Sequence, residues 1–110
     1  MKSLTNNLLT LKQALVAVST KCYHYEKPAK VTAPYIVWAE DGEDGSFHSD
    51  NHTTEQTVTG SVDFYTKTEF DATIDEIQNA LDAVCGWELN TVQYEDETKL
   101  IHYSWRFWVS

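Results

Sequence analysis

Residues 38–56 read WAEDGEDGSFHSDNHTTEQ and combine a dense set of carboxylates with two histidines, His48 and His52. Carboxylates and imidazoles bind Zn²⁺ and Ca²⁺ and act as general acids and bases, so this segment is the first candidate for a metal or catalytic site. The two histidines would share a face only on a helix, whereas the glycines and turn formers around them predict turns. A calcium loop needs alternate oxygen ligands and a glutamate at the twelfth position between two helices, a spacing that EDGEDGSFHSDN lacks. We therefore expect no metal in this segment.

Two other arrangements could support catalysis, a thiol nucleophile and a pair of carboxylates. Cys22 stands two residues from His24, but neighbours two apart on a strand simply share one face of a sheet. A carboxylate pair for acid–base catalysis needs a buried member with a raised pKa, and no apolar pocket is indicated around these acids. The sequence has no GxSxG motif, phosphate-binding loop or dinucleotide-binding glycine pattern. We therefore predict a protein that is not an enzyme and needs no cofactor.

The overall charge disfavours two common classes of partner. The chain has 110 residues, with eight Lys and Arg against seventeen Asp and Glu, and its formal net charge is −9. Such an excess of negative charge repels nucleic acid and anionic membranes. The N-terminal segment interrupts its apolar positions with polar side chains, so neither a signal peptide nor a membrane span is predicted. Cys22 and Cys85 lack a CxxC spacing and are expected to be buried free thiols of a cytosolic protein.

The length fits one domain, residues 1–110, and the apolar periodicity predicts two helices. In the first helix the apolar residues advance by four, three, four and three positions, at Leu4, Leu8, Leu11, Leu15 and Val18. The second helix, predicted over residues 70–84, repeats these steps at Phe70, Ile74, Ile77, Leu81 and Val84. Gly86 is expected to end it. Acidic residues suit the positive N-terminal end of this helix, at Asp71, Asp75 and Glu76.

Five segments are predicted to be strands: residues 21–26, 35–40, 54–66, 87–95 and 99–109. The third would span about 43 Å at roughly 3.3 Å per residue, and would bend at Gly60 or project from the domain. The second is apolar without alternation, which predicts cover on both faces. A change of parity in the fourth predicts a bulge near Asn90 and Thr91. The fold expected is α+β, with two helices packed on an antiparallel or mixed sheet of about five strands in the order α-β-β-β-α-β-β.

Two groups of residues are predicted to contact partners. A flexible acidic loop over about residues 40–53 would present the carboxylates of Glu40, Asp41, Glu43, Asp44 and Asp50. Leu9 and Val16 lie away from the main apolar stripe of the first helix, and Trp108 lies on the opposite face of the last strand from Trp105. A small domain has difficulty burying all of these, so Leu9, Val16 and Trp108 are predicted to contact other subunits. For Leu9 and Val16, burial within one subunit is the alternative.

The segments YIVWAEDGED, TEQTVTGSVDFYTKTEFD, IDEIQNAL and WELNTVQYEDETKLIHYSWRF together resemble a known class of protein. They are similar to small head–tail connection proteins of long-tailed bacteriophages and prophages of Gram-positive bacteria, of the tail terminator or tail-to-head joining type. The resemblance covers roughly residues 34–109 and implies a structural α+β subunit rather than an enzyme. It further implies a ring, commonly hexameric, at the end of the tail tube, with a long loop that reaches into the tube, the connector or a neighbouring subunit.

The function expected is therefore that of a structural virion protein at the neck or tail end, present in the host cytoplasm during assembly, which joins the tail to the head connector. Its expected partners are copies of itself, the tail tube and the head connector, with no sequence-specific binding to nucleic acid and no membrane binding. The alternative is an acidic inhibitor, such as an immunity or anti-defence protein, that binds a basic partner in place of phosphates. The acids concentrate in one loop and one helical turn rather than over a broad face, which favours the virion protein.

Overall fold

Seven helices and strands build the part of the chain that the computed structural model describes, residues 4–43 and 56–110. The helices are α1 (Leu4–Val18) and α2 (Thr73–Val84). The strands are β1 (Cys22–His24), β2 (Tyr35–Glu43), β3 (Val58–Thr66), β4 (Gly86–Glu95) and β5 (Leu100–Val109). The chain order is α-β-β-β-α-β-β, so the predicted α+β fold is confirmed.

The five strands form one mixed sheet in the order β1-β2-β3-β5-β4. β1 pairs with β2 in parallel, and the other three pairings are antiparallel. A register shift between Leu89 and Thr91 leaves Asn90 as an extra residue of β4, which is the bulge that the sequence predicts. β1 and β4 are the two edges of the sheet.

Both helices pack on one face of the sheet and contact each other. Alternate residues of the strands point to this face. The largest fully buried side chains on it are Trp38, Phe64, Trp105 and Phe107. The helices contribute the fully buried residues Leu11, Leu15, Ile77 and Leu81, all of which belong to the predicted apolar stripes. Neither helix has the length and apolar character needed to cross a lipid bilayer.

The boundaries of β2 and β3 differ from those predicted. β3 starts at Val58, opposite Val109 at the end of β5, and has nine residues. Of the predicted strand over residues 54–66, residues 56 and 57 lie outside β3, so the strand is shorter than predicted, and residues 54 and 55 lie outside the described part of the chain. β2 instead continues past residue 40 to Glu43, because it stays paired with β3 up to Val58.

α2 begins at Thr73, three residues later than predicted. Phe70 has a φ angle of 57° and cannot continue a right-handed helix in that conformation. The carboxylate of Asp71 prepares the helix start: it accepts hydrogen bonds from the backbone N–H of Thr73 at 2.9 Å and from the hydroxyl of Thr66 at 2.7 Å. Phe70 consequently lies outside the helix and is 89% exposed.

The sequence suggested that Gly86 ends α2, but Gly86 is instead the first residue of β4. The helix ends at Val84, and Cys85 is already extended. Gly86 lies opposite Trp108 in the β4–β5 pairing, and a Cβ atom at position 86 would lie 1.8 Å from Trp108 Nε1. The glycine is therefore required by the indole ring that packs against the strand.

The second face of the sheet, called the open face below, carries no helix in residues 4–43 and 56–110. Ile36 and Trp38 of β2 are buried under the helices, whereas Val37 and Ala39 point to the open face and are only partly covered. The prediction that residues 35–40 are covered on both faces is therefore correct for Tyr35, which is buried on the open face, and wrong for Val37 and Ala39. Tyr35 stacks on Tyr65 of the neighbouring strand.

Candidate functional site

Glu40 belongs to a side-chain cluster beside β1. The His24 ring stacks on Trp38 with 4.0 Å between centroids, and Tyr25 stacks on His24 at 3.8 Å. The Glu40 carboxylate accepts hydrogen bonds from His24 Nε2 at 2.8 Å and from the Tyr25 hydroxyl. Burial opposes ionisation of Glu40, but these hydrogen bonds outweigh it and hold the pKa of the carboxyl below its ordinary value. Glu40 thus connects β1 to β2 and is engaged within the subunit.

The next predicted carboxylates lie at the end of β2, on the strand and not in a loop. Asp41 is the extra residue of a register shift between Glu40 and Gly42, and accepts a hydrogen bond from Thr59 Oγ1 at 3.0 Å. Glu43 is exposed and accepts one from Gln56 Nε2 at 3.2 Å. The other predicted residues of this segment, Asp44, His48, Asp50 and His52, lie outside the described part of the chain.

No metal-binding cluster is found among the residues that the structure describes. Within residues 4–43 and 56–110, no group of three or more His, Cys, Asp and Glu side chains is placed to hold a metal ion. The expectation that the acidic segment binds no metal stays a prediction, because its two histidines are not among these residues.

The two cysteines are free and half-buried, as the sequence predicts. Burial raises the pKa of Cys22 to about 11, and the nearby charge of Lys12 opposes that rise only in part. Burial also raises the pKa of Cys85 to about 11, assisted by the Asp82 carboxylate. Both thiols are therefore protonated at neutral pH, which makes them poor nucleophiles.

The predicted contact residues of α1 are exposed in the isolated subunit. Leu9 is 45% exposed and Val16 is 38% exposed. Lys12 lies between them on the same side of the helix, and its charge acts on the Cys22 thiol of β1. Leu9, Lys12 and Val16 thus form one exposed side of α1.

Trp108, the third predicted contact residue, lies on the open face and is only partly exposed. Its indole packs over Gly86 of the neighbouring strand. The prediction that Trp105 and Trp108 lie on opposite faces is confirmed, since Trp105 is fully buried under the helices and donates from Nε1 to Gln78 Oε1 at 3.1 Å. Part of the Trp108 surface is thus used within the subunit.

A polar and aromatic cluster on the open face was not predicted. Tyr65 lies between Tyr35 and His102, with ring centroids 4.9 and 4.2 Å away, and His102 Nε2 donates to Asp63 Oδ1 at 2.8 Å. Burial raises the pKa of Tyr65 to about 12, and the Asp63 carboxylate adds to the effect. These side chains come from three strands, and their proximity depends on the strand register, which could not be derived from the sequence alone. The contacts link the strands on the face that lacks a helix.

A second unpredicted feature is an apolar surface on β4, on the same side of the sheet as the helices. Leu89, Val92 and Tyr94 are between 48% and 59% exposed. The helix beside them is too short to cover the strand, since twelve residues of α2 span about 18 Å and ten residues of β4 about 33 Å. Phe70 lies across a groove of about 800 Å³, which Ile101 and Tyr103 also line. The lengths of α2 and β4, estimated from the predicted elements, could have revealed this exposed surface.

Comparisons with known proteins give one informative result. No family model and no curated protein matches the chain. Among solved structures, a chain of the structure described as "Virion of native gene transfer agent (GTA) particle" is similar in fold, with a TM-score of 0.50 and 15% sequence identity. The match covers 97% of this chain and 94% of that chain, so the two share the fold over almost their whole lengths.

Proposed function

We propose that this chain is a structural subunit of a phage-like particle, which forms a ring at the end of the tail and joins the tail to the head connector. The observation that carries the proposal is the shared fold, over nearly the full length of both chains, with a chain of a gene transfer agent virion. At this identity the likeness concerns the fold. It agrees with the separate resemblance of four sequence segments to head–tail connection proteins, and this agreement supports the function.

The described side chains also favour a structural role over a catalytic one. The two thiols are protonated at neutral pH, and Glu40 is ionised and occupied by His24 and Tyr25. A general acid or base would instead need a carboxyl with a raised pKa in an apolar pocket.

Two surfaces are proposed to act in assembly. Leu9 and Val16, exposed on α1, contact a neighbouring subunit, and Trp108 adds the part of its ring that Gly86 does not cover. The acidic segment that starts at the end of β2 docks on a basic partner in the tail or connector, through Asp41, Glu43, Asp44 and Asp50. Glu40, included in the predicted set, is assigned a structural part because of its internal hydrogen bonds.

The test adds purified protein to tails that lack this subunit and measures joining to heads by electron microscopy. The wild-type chain should bind the tail end and restore joining, with a rate that falls as salt rises, because salt screens charges beyond about 8 Å. A variant with Asp41→Asn, Glu43→Gln, Asp44→Asn and Asp50→Asn should keep its fold and join heads to tails much more slowly.

A matched control carries Asp75→Asn and Glu76→Gln, which remove exposed acids from α2 and should join normally. Wild-type protein that binds neither tails nor heads would contradict the proposed function. If the wild-type protein instead bound a basic toxin or nuclease as a single subunit, the result would support the alternative function of an acidic inhibitor.

A further inference from the structure

Among the residues that the structure describes, the two edge strands of the sheet each have one side without a strand partner. In β1, the Lys21 carbonyl accepts from the Ile36 N–H and the Tyr25 N–H donates to the Trp38 carbonyl, both at 2.8 Å. The alternate residues Cys22 and His24 therefore direct their backbone groups away from the sheet. Within residues 4–43 and 56–110, no loop or turn backbone group bonds to these two residues. On the other side, β4 has β5 as its one strand partner in the described part of the chain, at residues 4–43 and 56–110.

The two edges carry opposite charge. β1, the residue before it and its connection to β2 contain three lysines and one glutamate: Lys21, Lys27, Lys30 and Glu26. β4 and its hairpin turn contain four carboxylates and one lysine: Glu88, Glu95, Asp96, Glu97 and Lys99. In a chain of net charge −9, the lysines near β1 form a local positive region. The β1 edge of one copy is therefore electrostatically complementary to the β4 edge of another.

The strand directions also fit. β1 runs parallel to β2, and the three antiparallel pairings that follow leave β4 running opposite to β1. If a second copy continues the sheet in the same orientation, its β4 meets β1 as an antiparallel partner. Both copies then have their helices on the same face, with no subunit turned over.

Apolar surfaces meet in the same arrangement. α1 ends at Val18, just before β1 begins at Cys22, and leaves Leu9 and Val16 exposed. α2 connects directly to β4 and leaves Leu89, Val92 and Tyr94 exposed. A β4 edge placed beside β1 would bring this apolar surface under α1 of the adjoining copy.

We propose that β1 and α1 of one copy bind the β4 edge of the next, with antiparallel strand pairing and with α1 covering the apolar surface of β4. The proposal deepens the proposed function and rests on it for the existence of self-assembly. The contact is heterologous, since each copy uses two different surfaces, and repetition with rotation closes a ring. It also covers both free edges of the sheet, which would otherwise favour unregulated pairing.

The experiment uses two variants, each damaged on one side of the contact. The α1-side variant carries Leu9→Asp and Lys30→Glu, and the β4-side variant carries Val92→Asp. Matched controls are Thr10→Asp, about 100° around α1 from Leu9, and Gln93→Asp on the open face of β4, both exposed positions near the changed ones. Native masses are measured by light scattering, and circular dichroism verifies the fold of each variant.

Each damaged variant alone should remain a single subunit, whereas both controls should assemble like the wild type. Mixed in equal amounts, the two damaged variants should form a species of twice the subunit mass and nothing larger, because each retains the surface that the other lacks. If Val92→Asp unfolds the subunit, Glu97→Lys is used as the β4-side variant instead, because it reverses a charge on the exposed hairpin turn.

Two results would overturn the inference in distinguishable ways. If the wild type assembles and the β4-side variant assembles equally well, the contact lies elsewhere while the proposed function stands. If the wild type stays a single subunit at every concentration, both the contact and the ring are wrong.

Discussion

At the scale of single residues, the indole of Trp108 occupies the space that a side chain at position 86 would fill. A Cβ atom at position 86 would lie 1.8 Å from Trp108 Nε1, and the indole would have to move. We expect Gly86→Ala to lower the free energy of unfolding by about 1–3 kcal/mol, as overpacking usually does. Urea denaturation followed by circular dichroism measures the change.

Two controls separate this clash from a general effect of alanine in a strand. Gly42→Ala places a Cβ atom where no heavy atom lies within 4 Å, so it should change stability little. In a Trp108→Ala background, the penalty of Gly86→Ala should shrink, since the two residues are coupled. An equal penalty in both backgrounds would show that the indole is not the cause.

The cysteines give a prediction about reactivity. Burial raises the pKa values of Cys22 and Cys85 to about 11, above their values in the unfolded chain. Ellman's reagent at about pH 8 should therefore react much more slowly with the native protein than with the protein in urea. Because the folded pKa is raised, the associated stability is present below about pH 8.5 and is lost as the pH rises toward 11. Native thiols that react as fast as denatured ones would contradict this picture.

At the scale of elements, the start of α2 depends on one carboxylate. Hydrogen bonds from Thr66 and Thr73 outweigh burial and hold the pKa of Asp71 below its ordinary value. We expect Asp71→Ala to cost about 1 kcal/mol of unfolding free energy near neutral pH, the usual value for a lost helix cap. Asp71 contributes stability above about pH 4, and the contribution is lost as the pH falls through its lower folded pKa.

Unfolding of wild type and Asp71→Ala across this range of pH checks the prediction, and the difference between them should narrow in acid. Asp75→Ala serves as the control, since Asp75 is exposed in the first turn of α2. If the difference in unfolding free energy between wild type and Asp71→Ala stayed constant down to low pH, ionised Asp71 could not be its source.

Helices and strands could be predicted from periodicity because their buried side chains repeat with the geometry of one element. Leu11, Leu15, Ile77 and Leu81 all come from the predicted stripes, and the bulge at Asn90 follows from a change of parity. Boundaries were less predictable, since they depend on contacts between elements. β3 starts where β5 no longer offers a partner, and α2 starts just after Asp71, whose carboxylate accepts a hydrogen bond from the Thr73 N–H.

The surfaces of the subunit were only partly predictable. Exposure of Leu9 and Val16 follows from their place outside the apolar stripe. The His102–Asp63 pair requires the strand register, which one sequence does not contain. The apolar surface of β4 could have been inferred from the lengths of the predicted helix and strand. The hydrogen bonds of Glu40 were not predictable either, because its partners His24 and Tyr25 are sixteen and fifteen residues away in the sequence.

At the scale of the whole molecule, the end of β2 at Glu43 and the hairpin of β4 and β5 lie at opposite ends of the sheet. β2 reaches Glu43 opposite Val58, whereas the other end of β3 pairs Thr66 with Ile101 beside the hairpin turn. The nine residues of β3 separate these ends by about 30 Å. A ring built through the sheet edges would leave both ends free, one for the tail and one for the connector.

The native mass of the wild-type chain across a range of concentrations tests the central claim most directly. Light scattering should show a mass several times the 12.6 kDa of one subunit as concentration rises, and negative-stain images of the largest species should show closed rings. Assembly should weaken when Leu9 and Val16 are both changed to polar residues, with the fold retained. A mass of 12.6 kDa at every concentration, in the absence of rings, would contradict the account.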